Sequence, residues 1–153
     1  MTRAYNFCAG PAAIPEPVLQ KAKQELLNWG EIGASIMEIS HRSPQYTAVA
    51  ESARSSLRSL LGLGEEWSIL FLQSGASLQF YQSAINFLKP DSIGNYVVTG
   101  AWAKKALAEG AAVGTTHVAA SSADQNFNYV PYSETWDISE RAAYVHVTSN
   151  NTI

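Results

Sequence analysis

The sequence predicts an α/β fold with a mostly parallel sheet covered by helices on both faces. Four short runs rich in apolar and β-branched residues, at 69–72, 96–99, 115–120 and 142–148, have the length of strands. Between most of them, apolar residues recur at helical spacing. Strands that alternate with helices are typical of parallel sheets, in which ligands bind at the carboxyl ends of the strands.

Composition and charge are those of an ordinary globular protein. The chain has 153 residues, 46% of them hydrophobic, and a net charge of −3, so one core can form. Because there is no basic stripe, the sequence predicts no nucleic acid partner and no anionic membrane partner. The single cysteine, Cys8, excludes an internal disulfide, and the N-terminal residues contain no apolar run typical of a signal or membrane segment. We therefore expect a cytoplasmic location.

Two helices are predicted before the first strand. They follow an extended N-terminal arm at 1–15, of a kind that often packs on a neighbouring subunit. The first helix has Pro17 in its first turn and is predicted to end at Gly30, since proline is favoured at helix starts and glycine at helix ends. The second helix follows Pro44 and is predicted to end at Gly62.

The stretch from Gln73 to Ser77 is predicted to be a tight turn from the first strand into a helix. A helix N-terminus there offers unpaired N–H groups and the positive end of the helix dipole, where a phosphate can bind. Ser77 could equally be the N-cap of its own helix. Neither the dinucleotide glycine pattern nor the P-loop pattern is present. On these residues alone, the structural interpretation is slightly favoured over a phosphate site.

Three further side chains are candidates for binding. Trp102 lies at a second strand-to-helix corner, where an indole could stack on a planar ring or anchor the helix in the core, and both interpretations remain open. His41 and Arg42 lie on a loop, where the sequence alone favours a solvated surface with a local salt bridge and an anion clamp is the alternative. No His, Cys or carboxylate cluster has metal-ligand spacing, and His146 is interpreted as a packed strand residue.

Four segments resemble the phosphoserine aminotransferase family. They are Asn6–Ala12, Ser35–Ser43, Leu70–Phe80 and Ser149–Ile153, and together they extend along the whole chain in the family's order. The resemblance implies a class V, pyridoxal-phosphate-dependent homodimer with the aspartate-aminotransferase-like fold (fold type I). It also implies amino transfer between phosphoserine and 2-oxoglutarate, which yields 3-phosphohydroxypyruvate and glutamate, in serine biosynthesis. In many bacteria the family also acts in pyridoxine biosynthesis.

The same resemblance assigns roles to individual residues. Four are implied to bind pyridoxal 5'-phosphate: Ala76, Ser77, Trp102 and Thr152. The first two hold the cofactor phosphate at a helix N-terminus, the tryptophan stacks on the pyridine ring, and the threonine bonds the phenolic oxygen. Arg42, with His41, is implied to receive the distal carboxylate or phosphate of the substrate. Ser74 departs from the family, where a glycine is common at this position, and serine suits the turn only if its φ is not positive.

Length is the largest departure, because family members are much longer than this chain. The resemblance implies that residues 16–153 are the N-terminal part of an incomplete large domain. The Schiff-base lysine, the aspartate that pairs with the pyridine nitrogen and the C-terminal domain are then absent, so we expect no catalytic residue and no activity in this chain alone. Two alternatives remain: a non-catalytic remnant that acts as a dimerisation or interaction module, and a small phosphate-ligand or nucleotide-binding domain.

Overall fold

A computed structural model describes residues 3–8 and 10–151. One compact unit extends to Leu70 and a second begins at Phe71. The described part of the first unit contains helices, and the second contains the sheet. Within the described residues, none of the helices combines the length and the apolar character needed to cross a membrane.

Helix α1 (Glu16–Glu25) is shorter than predicted. The expected end at Gly30 is wrong, because the backbone turns into a local loop before that residue. In this loop the Asn28 Oδ1 accepts a hydrogen bond from the Gly33 N–H at 2.7 Å. Asparagine side chains that bond nearby backbone compete with helix continuation. Gly30 lies instead in the short 3₁₀ turn Trp29–Glu31, with a φ of 55°.

Helix α2 (Pro44–Leu61) confirms the second predicted helix. At its start the Ser43 Oγ accepts a hydrogen bond from the Tyr46 N–H at 3.2 Å, as an N-cap serine does. At its end Gly62 adopts a φ of 63°, the left-handed conformation that glycine enters without a steric penalty. Both ends of this helix are therefore specified by local sequence signals.

Residues 69–72 form no strand among the described residues, so this prediction is wrong. Leu70, Phe71 and Leu72 are 71%, 53% and 52% exposed. A strand is stable only when a neighbour satisfies its backbone N–H and C=O groups, and the described sheet contains no strand from this run. An apolar run indicates that a strand could be buried, but it carries no information about which strand would pair with it.

The second unit alternates helices and strands as predicted. Its elements are α3 (Ala76–Phe87), β1 (Ile93–Val98), α4 (Ala101–Ala111), β2 (Thr116–Ser121) and β3 (Ala142–Val147). The three strands form a parallel sheet in the order β2-β1-β3. The three later predicted strands are confirmed, with small differences at their ends. Because all three strands run in the same direction, their carboxyl ends meet at one edge of the sheet.

Helix α4 packs against the central strand. On one face of β1, Tyr96 and Val98 form a buried cluster with Ala103 and Ala106 of the helix. Gly110 leaves room for the tyrosine ring, because a Cβ at this position would lie 2.0 Å from the Tyr96 Oη. This packing covers one face of the sheet and fixes the N-terminus of α4 at the carboxyl end of β1.

Candidate functional site

A cleft of about 380 Å³ lies at the carboxyl edge of the sheet. It is lined by residues of α3, α4, β3 and the loop that follows β3: Ala76, Phe80, Trp102, His146, Val147, Thr148, Ser149 and Asn150. Small-molecule pockets usually measure about 300–1,000 Å³, so this cleft has the size of a binding site. Ala76 and Trp102, two of the predicted binding residues, lie in this one cavity.

The N-terminus of α3 meets the cleft without a capping side chain. Its N-cap residue is Gly75, which has no side chain that could accept from the first-turn N–H groups. The N–H groups of Ala76 and Ser77 are therefore suited to an anion at the positive end of the helix dipole. Ser77 is the second helical residue, so the alternative that it caps its own helix is wrong.

Ser77 lines a different cavity from Ala76. This neighbouring cavity of about 330 Å³ is bounded by Ser74, Ser77, Leu78, Tyr81 and Glu109. The two predicted phosphate ligands are thus adjacent in the chain but line different cavities. Ser74 has a φ of 79°, in the left-handed region that costs an L-residue about 1–2 kcal/mol. Serine suits this turn only if its φ is not positive, and this condition is not met. The strained residue directly precedes Gly75, the N-cap of α3.

Trp102 is the second residue of α4; it lines the cleft and is 39% exposed. The Lys105 Nζ lies 5.6 Å from the centroid of this ring, a cation–π contact. A buried core anchor would be covered by apolar neighbours, whereas this indole adjoins open space. Trp102 is thus exposed at the cleft, and its stacking on the cofactor ring stays a prediction.

His146 lines the cleft, a position that the sequence does not predict. It is packed, as expected: its ring contacts Phe80 edge-on with the centroids 5.4 Å apart, and it lies 5.4 Å from the ring of Tyr96. Its Nε2 is 3.2 Å from the Thr148 Oγ1. Burial lowers the pKa of His146, which favours the neutral ring. The alternating pattern of β3 predicts its face of the sheet, but nothing in the sequence indicates that this face opens into a cleft.

Asn151 joins the structures that end at this edge of the sheet. Its Oδ1 accepts a hydrogen bond from the Ala103 N–H at 3.1 Å. Its Nδ2 donates to the Thr99 Oγ1 at 2.8 Å and to the Thr148 carbonyl oxygen at 3.5 Å. One amide thus links the end of β1, the first turn of α4 and the residue after β3. The terminal motif of the sequence contains Asn151, but only the structure reveals these partners.

The remaining predicted residues lie elsewhere. Thr152 is outside the described residues, and its contact with the phenolic oxygen stays a prediction. His41 and Arg42 are exposed in the first unit, on the loop that leads into α2. There the Arg42 N–H donates to the Ser40 Oγ at 3.2 Å. Their role in substrate binding also stays a prediction. Over the described ranges, no group of three His, Cys, Asp or Glu side chains could hold a metal ion.

The family model for aminotransferase class-V matches residues 4–153. The chain belongs to the class-V aminotransferases. Two curated relatives of this class-V chain are the phosphoserine aminotransferases of Geobacillus kaustophilus (strain HTA426), 52% identical, and Bacillus subtilis (strain 168), 50% identical. Each match covers 100% of this chain and 42% of the relative. The class-V chain thus spans less than half the length of the curated relatives that it matches.

Solved structures of phosphoserine aminotransferases share this fold. The protein from Bacillus circulans subsp. alkalophilus matches with a TM-score of 0.85 and 48% identity, over 99% of this chain and 42% of that one. A pyridoxal-phosphate-bound protein from Trichomonas vaginalis matches with a TM-score of 0.80 and 40% identity, over 94% of this chain and 40% of that one. The predicted fold class is therefore confirmed: the parallel sheet with helices matches the fold of these aminotransferases, of which this chain spans less than half.

Proposed function

We propose that the full-length protein containing this class-V chain is a phosphoserine aminotransferase that uses pyridoxal 5'-phosphate. The supporting observation is the single cleft that contains both the uncapped N-terminus of α3 and the exposed ring of Trp102. Two relatives that carry this name have 52% and 50% sequence identity to this chain over all 153 residues. The proposal includes a cytoplasmic homodimer, as the family resemblance implies.

The residues of the cleft fit such a cofactor. An anionic phosphate needs N–H donors, and the first turn of α3 has a glycine N-cap that satisfies none of them with a side chain. A flat pyridine ring needs an aromatic or apolar wall, and Trp102 and Phe80 line the same cavity. When bound, pyridoxal phosphate supplies the electron sink that amino-group transfer requires. The part of the chain described here supplies binding and orientation.

Each cofactor-binding residue has a distinct task in this proposal. The backbone N–H groups of Ala76 and Ser77 hold the phosphate, which anchors one end of the cofactor. The indole of Trp102 fixes the plane of the ring, and the hydroxyl of Thr152 donates to the phenolic oxygen. The neutral ring of His146 closes the floor of the cleft and excludes water beneath the ligand. These contacts orient the cofactor for a lysine supplied by another part of the full-length protein.

Substrate selection is assigned to the first unit. Arg42 carries a planar guanidinium that can bind a carboxylate or phosphate through two parallel hydrogen bonds. His41 adds a second donor for the same group. The substrates of the proposed reaction, phosphoserine, glutamate and 2-oxoglutarate, each have such an anionic group at the distal end, so one clamp can serve all three.

A non-catalytic remnant that acts as a dimerisation module is the alternative. The coding sequence downstream of residue 153 separates the two, because only an enzyme needs a cofactor-binding lysine there. The test is to express the full-length product, titrate the apoprotein with pyridoxal phosphate, and assay it with phosphoserine and 2-oxoglutarate. For the full-length product we expect saturable cofactor binding with a new visible absorbance, together with turnover. For residues 1–153 alone we expect no activity and no stoichiometrically labelled lysine after borohydride reduction. A full-length product that binds no cofactor would refute the proposal.

The substrate clamp has its own test in the full-length protein. Loss of a charge-assisted hydrogen bond costs about 1.5–3 kcal/mol, so Arg42→Ala is expected to raise KM for both glutamate and phosphoserine about tenfold to hundredfold. Cofactor affinity should be nearly unchanged. Arg141→Ala is the matched control, since Arg141 is exposed immediately before β3, at the opposite edge of the sheet from the cleft. Unchanged KM values for Arg42→Ala would return His41 and Arg42 to the solvated-surface interpretation.

A further inference from the structure

We infer that Asn151 is a positioning residue that holds Trp102 and the loop after β3 in place around the cleft. The inference concerns a residue that makes no contact with the ligand in the proposed function, and it rests on that function for its effect on cofactor binding. Its basis is the hydrogen bonding of one side chain amide with three separate segments.

The amide of Asn151 replaces a missing helix cap. Helix α4 has Gly100 as its N-cap residue, and no cap side chain bonds its first turn. The Asn151 Oδ1 accepts instead from the N–H of Ala103, the third helical residue, which is the donor that an N-cap side chain normally satisfies. The cap therefore comes from a residue 48 positions later in the chain. Because it is remote in sequence, it ties the helix to the loop after β3.

The backbone of Gly100 is shaped to admit this side chain. A Cβ at position 100 would lie 2.9 Å from both the Cβ and the Cγ of Asn151. Real Cβ atoms do not approach other carbon atoms this closely, so the glycine provides the space that Asn151 occupies. The Asn151 Nδ2 then reaches the Thr99 Oγ1, directly before the glycine. The close packing and the hydrogen bonds are two independent observations of the same junction.

This junction joins two walls of the cleft. Trp102 lies between Gly100 and Ala103, which both contact Asn151, so the start of the indole's helix is held at both sides. On the other wall, the Thr148 carbonyl accepts from the same amide. Small displacements of a binding group can cost large factors in binding or rate. Removal of the amide should therefore change the position of Trp102 relative to the loop, without removing any group that touches the ligand.

The test uses the full-length protein and compares Asn151→Ala with Asn86→Ala. Asn86 is exposed in the last turn of α3, at the other end of that helix from the cleft, so its variant makes the same chemical change away from the junction. The first readout is the fluorescence of Trp102 in the apoprotein, taken as the difference from the same protein carrying Trp102→Phe. We expect a shifted emission maximum for Asn151→Ala and none for the control. A second readout is the Kd of pyridoxal phosphate, which should rise about tenfold in Asn151→Ala.

Further variants separate positioning from a general loss of stability. Cofactor titrations are made under conditions in which circular dichroism shows a fully folded protein. If Asn151→Ala does not fold, Thr99→Val, which removes one hydrogen-bond partner of the Asn151 amide, is used in its place. In a Trp102→Ala background the effect of Asn151→Ala on Kd should shrink, because the residue acts through the indole. A folded Asn151→Ala with wild-type emission and Kd would overturn the inference, as would an equal rise in both backgrounds. A wild-type protein that binds no cofactor would instead refute the proposed function. The emission shift of Trp102 in the apoprotein would still test whether Asn151 positions this residue.

Discussion

Two corners lead into helices at the cleft, and they are built differently. The corner before α4 follows a paired strand and is closed by the amide of Asn151. The corner before α3 follows residues 69–72, which form no strand, and it contains a strained Ser74 and a glycine N-cap. At the first corner a protein side chain accepts from a first-turn helix N–H group, whereas no N-cap side chain does so at the second.

This difference predicts that the two corners have different roles in binding. Satisfied hydrogen bonds and close packing make a rigid support, which suits a residue that must keep a fixed orientation, such as Trp102. Unsatisfied donors and backbone strain are found at binding sites, where a ligand supplies the missing partner. We therefore expect substitutions before α3 to act on phosphate binding, and substitutions before α4 to act on the ring.

The largest expected effect is at the corner before α3. In the full-length protein, Ser77→Pro removes one backbone N–H from the first turn of α3. A lost hydrogen bond to a charged group costs about 1.5–3 kcal/mol, so the Kd of pyridoxal phosphate should rise about tenfold to hundredfold. Titration of the apoprotein by absorbance measures it.

Ser77→Ala is the matched control for this change. It removes the hydroxyl but keeps the backbone N–H, and Ser77 lines the neighbouring cavity, not the cleft. We expect its Kd to stay close to that of the wild type. If the proline variant is folded and also binds normally, the phosphate does not lie at α3, and the contrast between the corners fails.

A smaller effect is expected at the corner before α4. Aromatic pairs contribute about 0.5–1.5 kcal/mol beyond their buried area, so Trp102→Ala should raise the Kd of pyridoxal phosphate by up to about tenfold. Trp102→Phe keeps a flat ring and should retain most of the affinity. The same titration measures both variants. Equal losses in the two variants would mean that the indole acts through some feature other than a flat stacking face.

The two corners also mark how far the sequence predicts the fold. Local signals specify α2, because a serine cap and a terminal glycine are read from neighbouring residues. Strands β1, β2 and β3 are predicted from apolar runs that find partners in the sheet. The run at 69–72 has the same pattern, yet the pattern contains no record of a pairing partner. An apolar run therefore predicts a strand correctly only where a pairing partner exists, and the run itself does not specify that partner.

The candidate site divides in the same way. Ala76 and Trp102 are assigned by resemblance, and the structure brings both to one cleft. Asn151 and His146 are missed as site residues, because their roles depend on contacts across the sheet edge, including a hydrogen bond between positions 48 residues apart. No local periodicity reports such a contact. A polar residue in the segment that follows a predicted parallel strand is the signal that could have indicated Asn151, whereas His146 lies inside β3 and has no such signal.

Relief of the backbone strain at Ser74 is expected to raise the free energy of unfolding slightly. Ser74→Gly relieves a φ of 79°, but glycine also gives the unfolded chain more freedom, so the net gain in unfolding free energy should be about 1 kcal/mol or less. Urea unfolding of the full-length apoprotein measures it. Gly75→Ala is the control, because its φ of −120° suits any residue and no atom lies within 4 Å of the added Cβ. A destabilised Ser74→Gly would show that the serine side chain stabilises the turn by more than the strain costs.

The smallest effect expected is a pH dependence at His146, between the two corners. Burial lowers its pKa, so the unfolded chain binds this proton more readily than the folded protein. The resulting stability is fully present above the unfolded pKa of 6.5 and is lost as the pH falls below it towards the folded pKa. His146→Gln should therefore show a smaller loss of unfolding free energy than the wild type when the full-length apoprotein is acidified from neutral pH.

The comparison with a second histidine isolates this contribution. His117 lies on β2, outside the cleft, and its Nε2 is 3.1 Å from the Asp137 Oδ2. His117→Gln leaves the ring of His146 buried against Phe80, so the part of the acid slope that comes from His146 must persist in this variant. Urea unfolding at several pH values below neutrality gives the slopes of all three proteins. If His146→Gln and the wild type lose stability in parallel, the ring of His146 is protonated as easily in the folded protein as in the unfolded chain. Water then reaches this ring despite its contacts with Phe80 and Tyr96.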